Sequence, residues 1–145
     1  MKNGSSVQVR LPSELGFEKV AMSTAASMAA LMGFSEDRIE DLKTAVGEAC
    51  INAIEHGNHL NSSLGVGVVL STSADGLEVK VIDDGAGVSV APHVPDIDRK
   101  VHGEEDLRGM GMFLIQRLVD EAEWYKGPPG KSFVRLLIRL DKENE

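Results

Sequence analysis

The stretch from Leu42 to Asn58 constrains the fold of this chain most, because its pattern requires a helix with two different faces. Apolar residues recur at the i, i+3, i+4, i+7 spacing of a buried helical stripe, namely Leu42, Ala45, Val46, Ala49, Cys50, Ala53 and Ile54. A second stripe beside it carries Thr44, Glu48, Asn52 and Glu55. No Lys or Arg occurs between Thr44 and Asn58. A carboxylate and an amide one turn apart, without a basic neighbour on the helix, suggest a site for a cation.

Length and charge narrow the class of protein. The chain has 145 residues, 42% of them hydrophobic and 26% charged, which fits an ordinary globular protein with a real core. We expect residues 1–145 to form a single domain. The formal net charge of −8 argues against broad binding to nucleic acid or to anionic membranes, because both need a basic surface. A local pocket for an anionic ligand stays compatible with it.

The single cysteine and the hydropathy pattern indicate a compartment. One cysteine cannot form an internal disulfide and fits a reducing environment. Its place in the apolar stripe predicts that Cys50 is a core residue rather than a reactive thiol. No apolar run approaches the about 20 residues that span a bilayer, and the first residues lack the hydrophobic segment of a signal peptide. We therefore expect a cytoplasmic protein.

Hydrophobic periodicity predicts the elements in the order β, α, α, β, β, lid, α, β, β. The predicted strands are 7–11, 65–72, 77–83, 122–126 and 133–140. The predicted helices run from a Ser13 cap to Met32, from a Ser35 cap to near Gly57, and from Met110 to Val119. The stretch after Gly87 has no periodicity, and long loops of this kind are often lids. This order predicts an α+β two-layer sandwich with a mixed, mostly antiparallel sheet and helices on one face.

Asp83 continues the buried face of a predicted strand. Leu77, Val79 and Val81 point to one side of the sheet, and Asp83 has the same parity. A buried carboxylate without a donor is costly, so a ligand amino group would satisfy it. Asp-Asp-Gly is also common turn chemistry, and on this segment alone the two interpretations are equal.

A glycine-rich segment, Arg108–Gly111, directly precedes a predicted helix. Glycine lets backbone N–H groups approach an anion, and a helix N-terminus favours negative charge. The arrangement suits a phosphate. On its own it is more often an ordinary loop end.

Taken together, three patterns follow one another: Glu-x-x-x-Asn on a helix, Asp-x-Gly-x-Gly after a strand, and Gly-x-Gly after a lid. This order resembles the GHKL superfamily of ATPases, with an N box at Glu48–Asn58 and glycine boxes at Asp83–Gly87 and Arg108–Gly111. Glu-Ala-x-x-Asn-Ala-x-x-His-Gly and Arg-Gly-Met-Gly-Met-x-Leu-Ile are similar to the stand-alone anti-sigma factors that are also serine-protein kinases. The resemblance covers essentially the whole chain and implies the Bergerat ATP-binding fold.

The resemblance implies roles for the N box and the first glycine box. Asn52 would ligate Mg²⁺ through its side-chain oxygen, and Glu48 would act as general base on the attacking hydroxyl or on water. Asp83 would accept a hydrogen bond from the adenine amino group. Gly85 and Gly87 would let the backbone pass close to the base.

The same resemblance assigns the second glycine box and the lid. Gly109 and Gly111, with Met110 between them, would offer N–H groups to the phosphates, and Arg108 would offset the charge that develops there. Residues 88–107 would form the ATP lid. Ser132 stands near the place of a Gly-Thr pair in the adenine pocket, although Lys131 replaces the expected glycine.

The implied function is that of an ATP-binding anti-sigma factor with serine/threonine kinase activity. It would transfer the γ-phosphate of ATP to a serine of an anti-anti-sigma antagonist and would sequester a sigma factor as a homodimer, without contacting nucleic acid or membrane. The alternative is a nucleotide-gated binding module in which transfer is slow or absent. The presence of Glu48 favours the kinase.

Overall fold

The computed structural model describes residues 4–85 and 104–140. Both strands and helices occur in these ranges, as predicted. The strands are β1 (Ser6–Pro12), β2 (Gly65–Thr72), β3 (Gly76–Asp83), β4 (Glu121–Tyr125) and β5 (Ser132–Arg139). The helices are α1 (Glu18–Met32), α2 (Glu36–Asn52) and α3 (Glu104–Leu118), and a single π-helical turn, Ala53–Gly57, continues α2. Within the described ranges, no helix is both long and apolar enough to cross a membrane.

The strands form one sheet in the order β1-β2-β3-β5-β4. All four neighbouring pairs in it are antiparallel. The predicted α+β class is therefore confirmed, whereas the parallel component of a mixed sheet is not seen among the described strands. Hairpins join β2 to β3 and β4 to β5, and short turns can join only antiparallel strands. The other two pairs, β1–β2 and β3–β5, are antiparallel across longer connections that contain helices.

The core lies between one face of the sheet and the helices. Alternate residues of β3 point into it, and Leu77, Val79 and Val81 are at most 1% exposed. Helix α2 packs against both α1 and α3. Its predicted apolar stripe is buried throughout, and Cys50 is 0% exposed. The prediction that this cysteine is a core residue is confirmed.

The start of the first helix differs from the prediction. Helix α1 begins at Glu18, not after a Ser13 cap. Ser13 is buried, and its Oγ accepts a hydrogen bond from Asn58 Nδ2 at 2.7 Å. A tertiary contact therefore uses the hydroxyl that the sequence assigned to capping. The second cap is confirmed, because Ser35 Oγ accepts from the backbone N–H of Arg38 at 3.3 Å.

Helix α3 begins at Glu104 instead of Met110. The segment Arg108–Gly111 consequently lies inside the helix, and the prediction that it precedes the helix is wrong. Three consecutive acids, Glu104, Glu105 and Asp106, occupy the first turn, where the helix dipole favours negative charge. Residues 88–103 of the predicted lid lie outside the described residues, as does Gly87 of the first glycine box, and residues 104–107 belong to α3.

Candidate functional site

The polar stripe of α2 faces α3 at Glu48 and Asn52. Asn52 is buried and Glu48 is partly exposed. A Cβ atom built on Gly111 of α3 would lie 3.1 Å from Glu48 Oε2 and 3.8 Å from both polar atoms of the Asn52 amide. The structure thus brings the predicted base, the predicted magnesium ligand and one glycine of the second box together. A side chain at position 111 would occupy the space between them.

The Asn52 amide carries a buried donor without a partner. Its Nδ2 atom makes no hydrogen bond within the described part of the chain, and the residue is 5% exposed. Buried polar groups are normally paired, and leaving one unpaired costs about 1–3 kcal/mol. Asn52 also lines a cavity with Asp83. A polar amide in this position fits a residue that binds a ligand.

The acidity of Glu48 is shifted in the direction that a general base needs. Burial raises the pKa of the Glu48 carboxyl above its ordinary value, and the negative charge of Glu55 raises it further. Glu55 follows on the same polar stripe. A base works best when its pKa lies near the working pH, so both effects make Glu48 a stronger proton acceptor.

Asp83 ends β3 on the face that points into the core, and it is 3% exposed. The predicted burial of this carboxylate is confirmed. Gly57, in the π-helical turn, packs directly against it: a Cβ atom on Gly57 would lie 2.6 Å from Asp83 Cγ. A larger residue in this turn would push against the carboxylate. The close approach therefore links the end of the N box to Asp83.

Asn52 and Asp83 line one side of a small cavity of about 20 Å³, which is room for a single water molecule. The other residues around it are Ala49, Ala53, Val81, Trp124, Tyr125, Phe133 and Val134. The rings of Tyr125 and Phe133 stack with centroids 4.7 Å apart, but their strand parity is opposite to that of Val81. Trp124 is the aromatic residue of the lining that shares the inward parity of Val81 and Val134. Sequence reasoning missed Trp124. Its signal is the strand register, in which Trp124 lies opposite Val134 and Val134 opposite Val81.

Gly85 follows Asp83 in a tightly packed turn. Its N–H donates to Asn58 Oδ1 at 2.7 Å. A Cβ atom on Gly85 would overlap the Gly57 carbonyl, at 3.0 Å from its carbon. The neighbouring Asp84 accepts from the Gly65 N–H at 2.9 Å and pairs with Arg10. The turn is therefore fixed by several neighbours, of which sequence reasoning identified none.

Ser132 lies opposite Asp83 in the register of β5 and β3. It is buried, and its Oγ accepts from the Gly127 N–H at 2.9 Å and donates to the Gly127 carbonyl at 3.2 Å. The hydroxyl thus closes the β4–β5 loop. The structure places Ser132 beside Asp83, whose carboxylate is predicted to bind adenine. Direct contact of the Ser132 hydroxyl with a base stays a prediction.

The remaining predicted phosphate ligands lie in α3. In a continuous helix each N–H points to the carbonyl four residues earlier, so Gly109 and Gly111 could donate to a phosphate only if the first turns of α3 opened. Met110 is 41% exposed, whereas Gly111 is buried against the α2 stripe. Arg108 belongs to the helix, and its side chain lies outside the described part.

A family model described as the histidine kinase-like ATPase domain matches residues 11–137. The chain belongs to this family. The resemblance drawn from the motifs is thereby confirmed, and an ATPase domain implies that the chain uses ATP. The serine-protein kinase RsbW of Bacillus subtilis is 30% identical over 131 residues, which are 83% of this chain and 79% of the relative. RsbW of Oceanobacillus iheyensis is 30% identical over 128 residues, 85% of this chain and 80% of the relative.

A solved structure shares the fold. It holds the RsbU and RsbW domains of a Mycobacterium tuberculosis protein and matches with a TM-score of 0.65 at 19% identity. The match covers 94% of this chain and 32% of the solved one, so this chain spans about a third of that length. The likeness confirms the α+β architecture of the histidine kinase-like ATPase chain.

Proposed function

We propose that this protein binds ATP with Mg²⁺ and transfers the γ-phosphate to a serine of a partner protein. One observation carries the proposal: Asn52, whose buried Nδ2 has no hydrogen-bond partner among the described residues, and the Glu48 carboxylate stand one turn apart against Gly111, beside a cavity that Asp83 lines. Relatives at 30% identity are named serine-protein kinases, which supports the choice of serine as acceptor.

The nucleotide would be held by side chains that the fold already aligns. Asp83 would accept from the adenine amino group at the inner end of the pocket. Asn52 has an oxygen and a nitrogen at the two ends of its amide, so it offers Mg²⁺ an oxygen ligand and a phosphate a donor. Mg²⁺, when bound, neutralises charge on the phosphate oxygens. The residues present fit both groups.

Glu48 would be the general base. As the serine oxygen forms its bond to the γ-phosphorus, the bond from that phosphorus to the β–γ bridging oxygen breaks and ADP leaves. The serine proton passes to the Glu48 carboxylate. The raised pKa of Glu48 favours this transfer, because a more basic carboxylate holds the proton more strongly.

The biological partners follow from the motif resemblance. We propose that the acceptor serine belongs to an anti-anti-sigma antagonist, and that a homodimer of this protein sequesters a sigma factor. A pull-down with this protein as bait, in the presence of ATP, of ADP or of neither, tests the assignment. Recovery of a sigma factor that depends on the nucleotide supports it, and recovery of no such factor in any of the three arms contradicts it.

A second function, a nucleotide-gated binding module, has one specific observation in its favour. The second glycine box lies within α3, so phosphate binding through its N–H groups has to remodel the start of that helix. ATP would then act by changing a surface, and transfer would be slow or absent.

The substitution Glu48→Ala separates the two functions. We expect ATP affinity to be retained and phosphate transfer to the antagonist to fall by roughly 10²–10⁴-fold, the usual contribution of a general base. Transfer is measured with labelled ATP, and affinity by titration. Thr44→Ala is the matched control, since it removes an exposed polar side chain of the same stripe one turn before Glu48, and it should keep most of the transfer. Undiminished transfer in Glu48→Ala would show that Glu48 is not the base.

The substitution Asp83→Asn tests the adenine contact. A hydrogen bond to a charged group contributes about 1.5–3 kcal/mol, so we expect the Kd for ATP to rise by about 10–100-fold. Trp124, the only tryptophan, lines the cavity and offers a fluorescence signal for the titration. GTP, which carries a carbonyl oxygen where adenine has its amino group, is the control ligand, and its binding should not weaken, because an amide can donate to that oxygen. An unchanged Kd for ATP counts against the assignment.

A further inference from the structure

Asn58 is a buried side chain whose polar atoms are all engaged. It follows the π-helical turn and is 1% exposed. Its Nδ2 donates to Ser13 Oγ at 2.7 Å and to the Gly65 carbonyl at 2.9 Å, and its Oδ1 accepts from the Gly85 N–H at 2.7 Å. A single amide therefore joins the end of the N box, the segment after β1, the start of β2 and the turn after β3.

These contacts converge on the turn that carries Asp83. The Gly65 carbonyl accepts from Asn58, while the Gly65 N–H donates to Asp84 at 2.9 Å. The turn is thus tied to the start of β2 from two sides. Gly57, the residue before Asn58, packs against the Asp83 carboxylate. Movement of Asn58 would therefore reach Asp83 both through the Gly85 hydrogen bond and through the adjacent backbone.

We propose that Asn58 is a positioning residue for nucleobase selection: it orients the Asp83–Gly85 turn so that the Asp83 carboxylate meets the amino group of adenine, at whose place guanine has a carbonyl oxygen. The proposal rests on the proposed ATP binding and deepens it. The site requires two donors and one acceptor on a short planar group. Aspartate supplies the acceptor alone and would place a carboxylate oxygen against the Gly65 carbonyl. Alanine supplies none of the three.

The experiment compares Asn58→Ala with Ser13→Ala. Ser13→Ala removes one partner of Asn58 and leaves its bonds to Gly85 and Gly65 in place. Each variant is titrated with ATP and with GTP at a temperature at which circular dichroism shows it fully folded. We expect Asn58→Ala to raise the Kd for ATP about 10-fold, as the loss of a buried hydrogen bond does. Ser13→Ala should stay within about threefold of the wild type.

Two readouts distinguish positioning from a structural role. If Asn58 acts through Asp83, the preference for ATP over GTP falls in Asn58→Ala. The losses are then also non-additive, and Asn58→Ala weakens ATP binding less than about threefold in an Asp83→Asn background. An unchanged ATP-to-GTP ratio, or fully additive losses, overturns the proposal.

The outcomes also distinguish failure of the Asn58 proposal from failure of the proposed ATP binding. A wild-type protein that does not bind ATP overturns the proposed function, whereas a wild type that binds and an Asn58→Ala variant that binds equally well overturn only the role of Asn58. Should Asn58→Ala fail to fold, Asn58→Asp replaces it, because it keeps the acceptor for Gly85. Its Kd is expected to exceed that of the wild type, and an equal Kd contradicts the proposal.

Discussion

Replacing Gly85 by alanine adds a single methyl group but should both destabilise the protein and weaken ATP binding. The new methyl group would overlap the Gly57 carbonyl and lie 3.0 Å from Asn58 Oδ1. The obstruction is backbone, which cannot rotate away as a side chain can. Either the turn after β3 moves, taking Asp83 with it, or the overlap is retained as strain.

The expected cost has two parts. Overpacking in a tightly packed region destabilises by about 1–3 kcal/mol. Displacing Gly85 also weakens its hydrogen bond to Asn58, and a bond of this kind contributes about 0.5–1.5 kcal/mol. The sum is about 1.5–4.5 kcal/mol. For a chain of this size, that corresponds to a Tm lower by roughly 3–18 °C.

Thermal unfolding by circular dichroism measures the first consequence, and an ATP titration measures the second. We expect the Kd for ATP to rise at least about 10-fold, since Asp83 moves with the turn. Gly67→Ala is the matched control: it adds the same methyl group, and the atoms nearest to it lie 3.8 and 3.9 Å away, at ordinary contact distance. It should leave both quantities near the wild type.

The reasoning is refuted if Gly85→Ala melts within about 2 °C of the wild type and binds ATP equally well. That result would mean that the turn accommodates a methyl group despite the close contacts with Gly57 and Asn58. A change in Gly67→Ala as large as that in Gly85→Ala would also refute it, because the effect would then not depend on the close approach.

Two further predictions follow from raised pKa values. Because burial raises the pKa of Glu48 above its ordinary 4.5, the carboxyl stabilises the fold at pH below that value, and this contribution is lost as pH rises through the folded pKa. Glu48→Gln should therefore raise the Tm near about pH 7 and leave it unchanged near about pH 4. An equal gain in Tm at both pH values would contradict the predicted pH dependence. Burial raises the pKa of Cys50 to about 12, so a thiol reagent should label it only after denaturation, and rapid labelling of the folded protein would show that the thiol is accessible.

Much of the fold could be predicted from the sequence because its signals are local. The alternation in β2 and β3 and the stripe on α2 depend only on which side chains share a face. Asp83 was placed correctly for the same reason, since its parity is that of Val81. Glu48 and Asn52 were brought together by their spacing of one helical turn.

The features that sequence reasoning missed depend on contacts between distant segments. The sequence predicts that Ser13 caps a helix, but its hydroxyl oxygen accepts a hydrogen bond from Asn58, which is distant in sequence. The place of Trp124 in the cavity follows from the position of β4 beside β5, which no local pattern specifies. The start of α3 was misplaced because glycine has a low helix propensity and was assigned to the loop before the helix, whereas the acids before it favour an earlier start.

The two stripes of α2 have a consequence for how this protein can change. Ala49 is part of the hydrophobic core and also part of the cavity wall, so a substitution there alters stability and ligand preference together. Trp124 faces the same cavity from β4, the last strand in the sheet order. Among the described strands, β4 pairs only with β5. A change at Trp124 therefore reaches fewer neighbouring strands than a change at Ala49 of the core helix, and redesign of ligand preference should begin at Trp124.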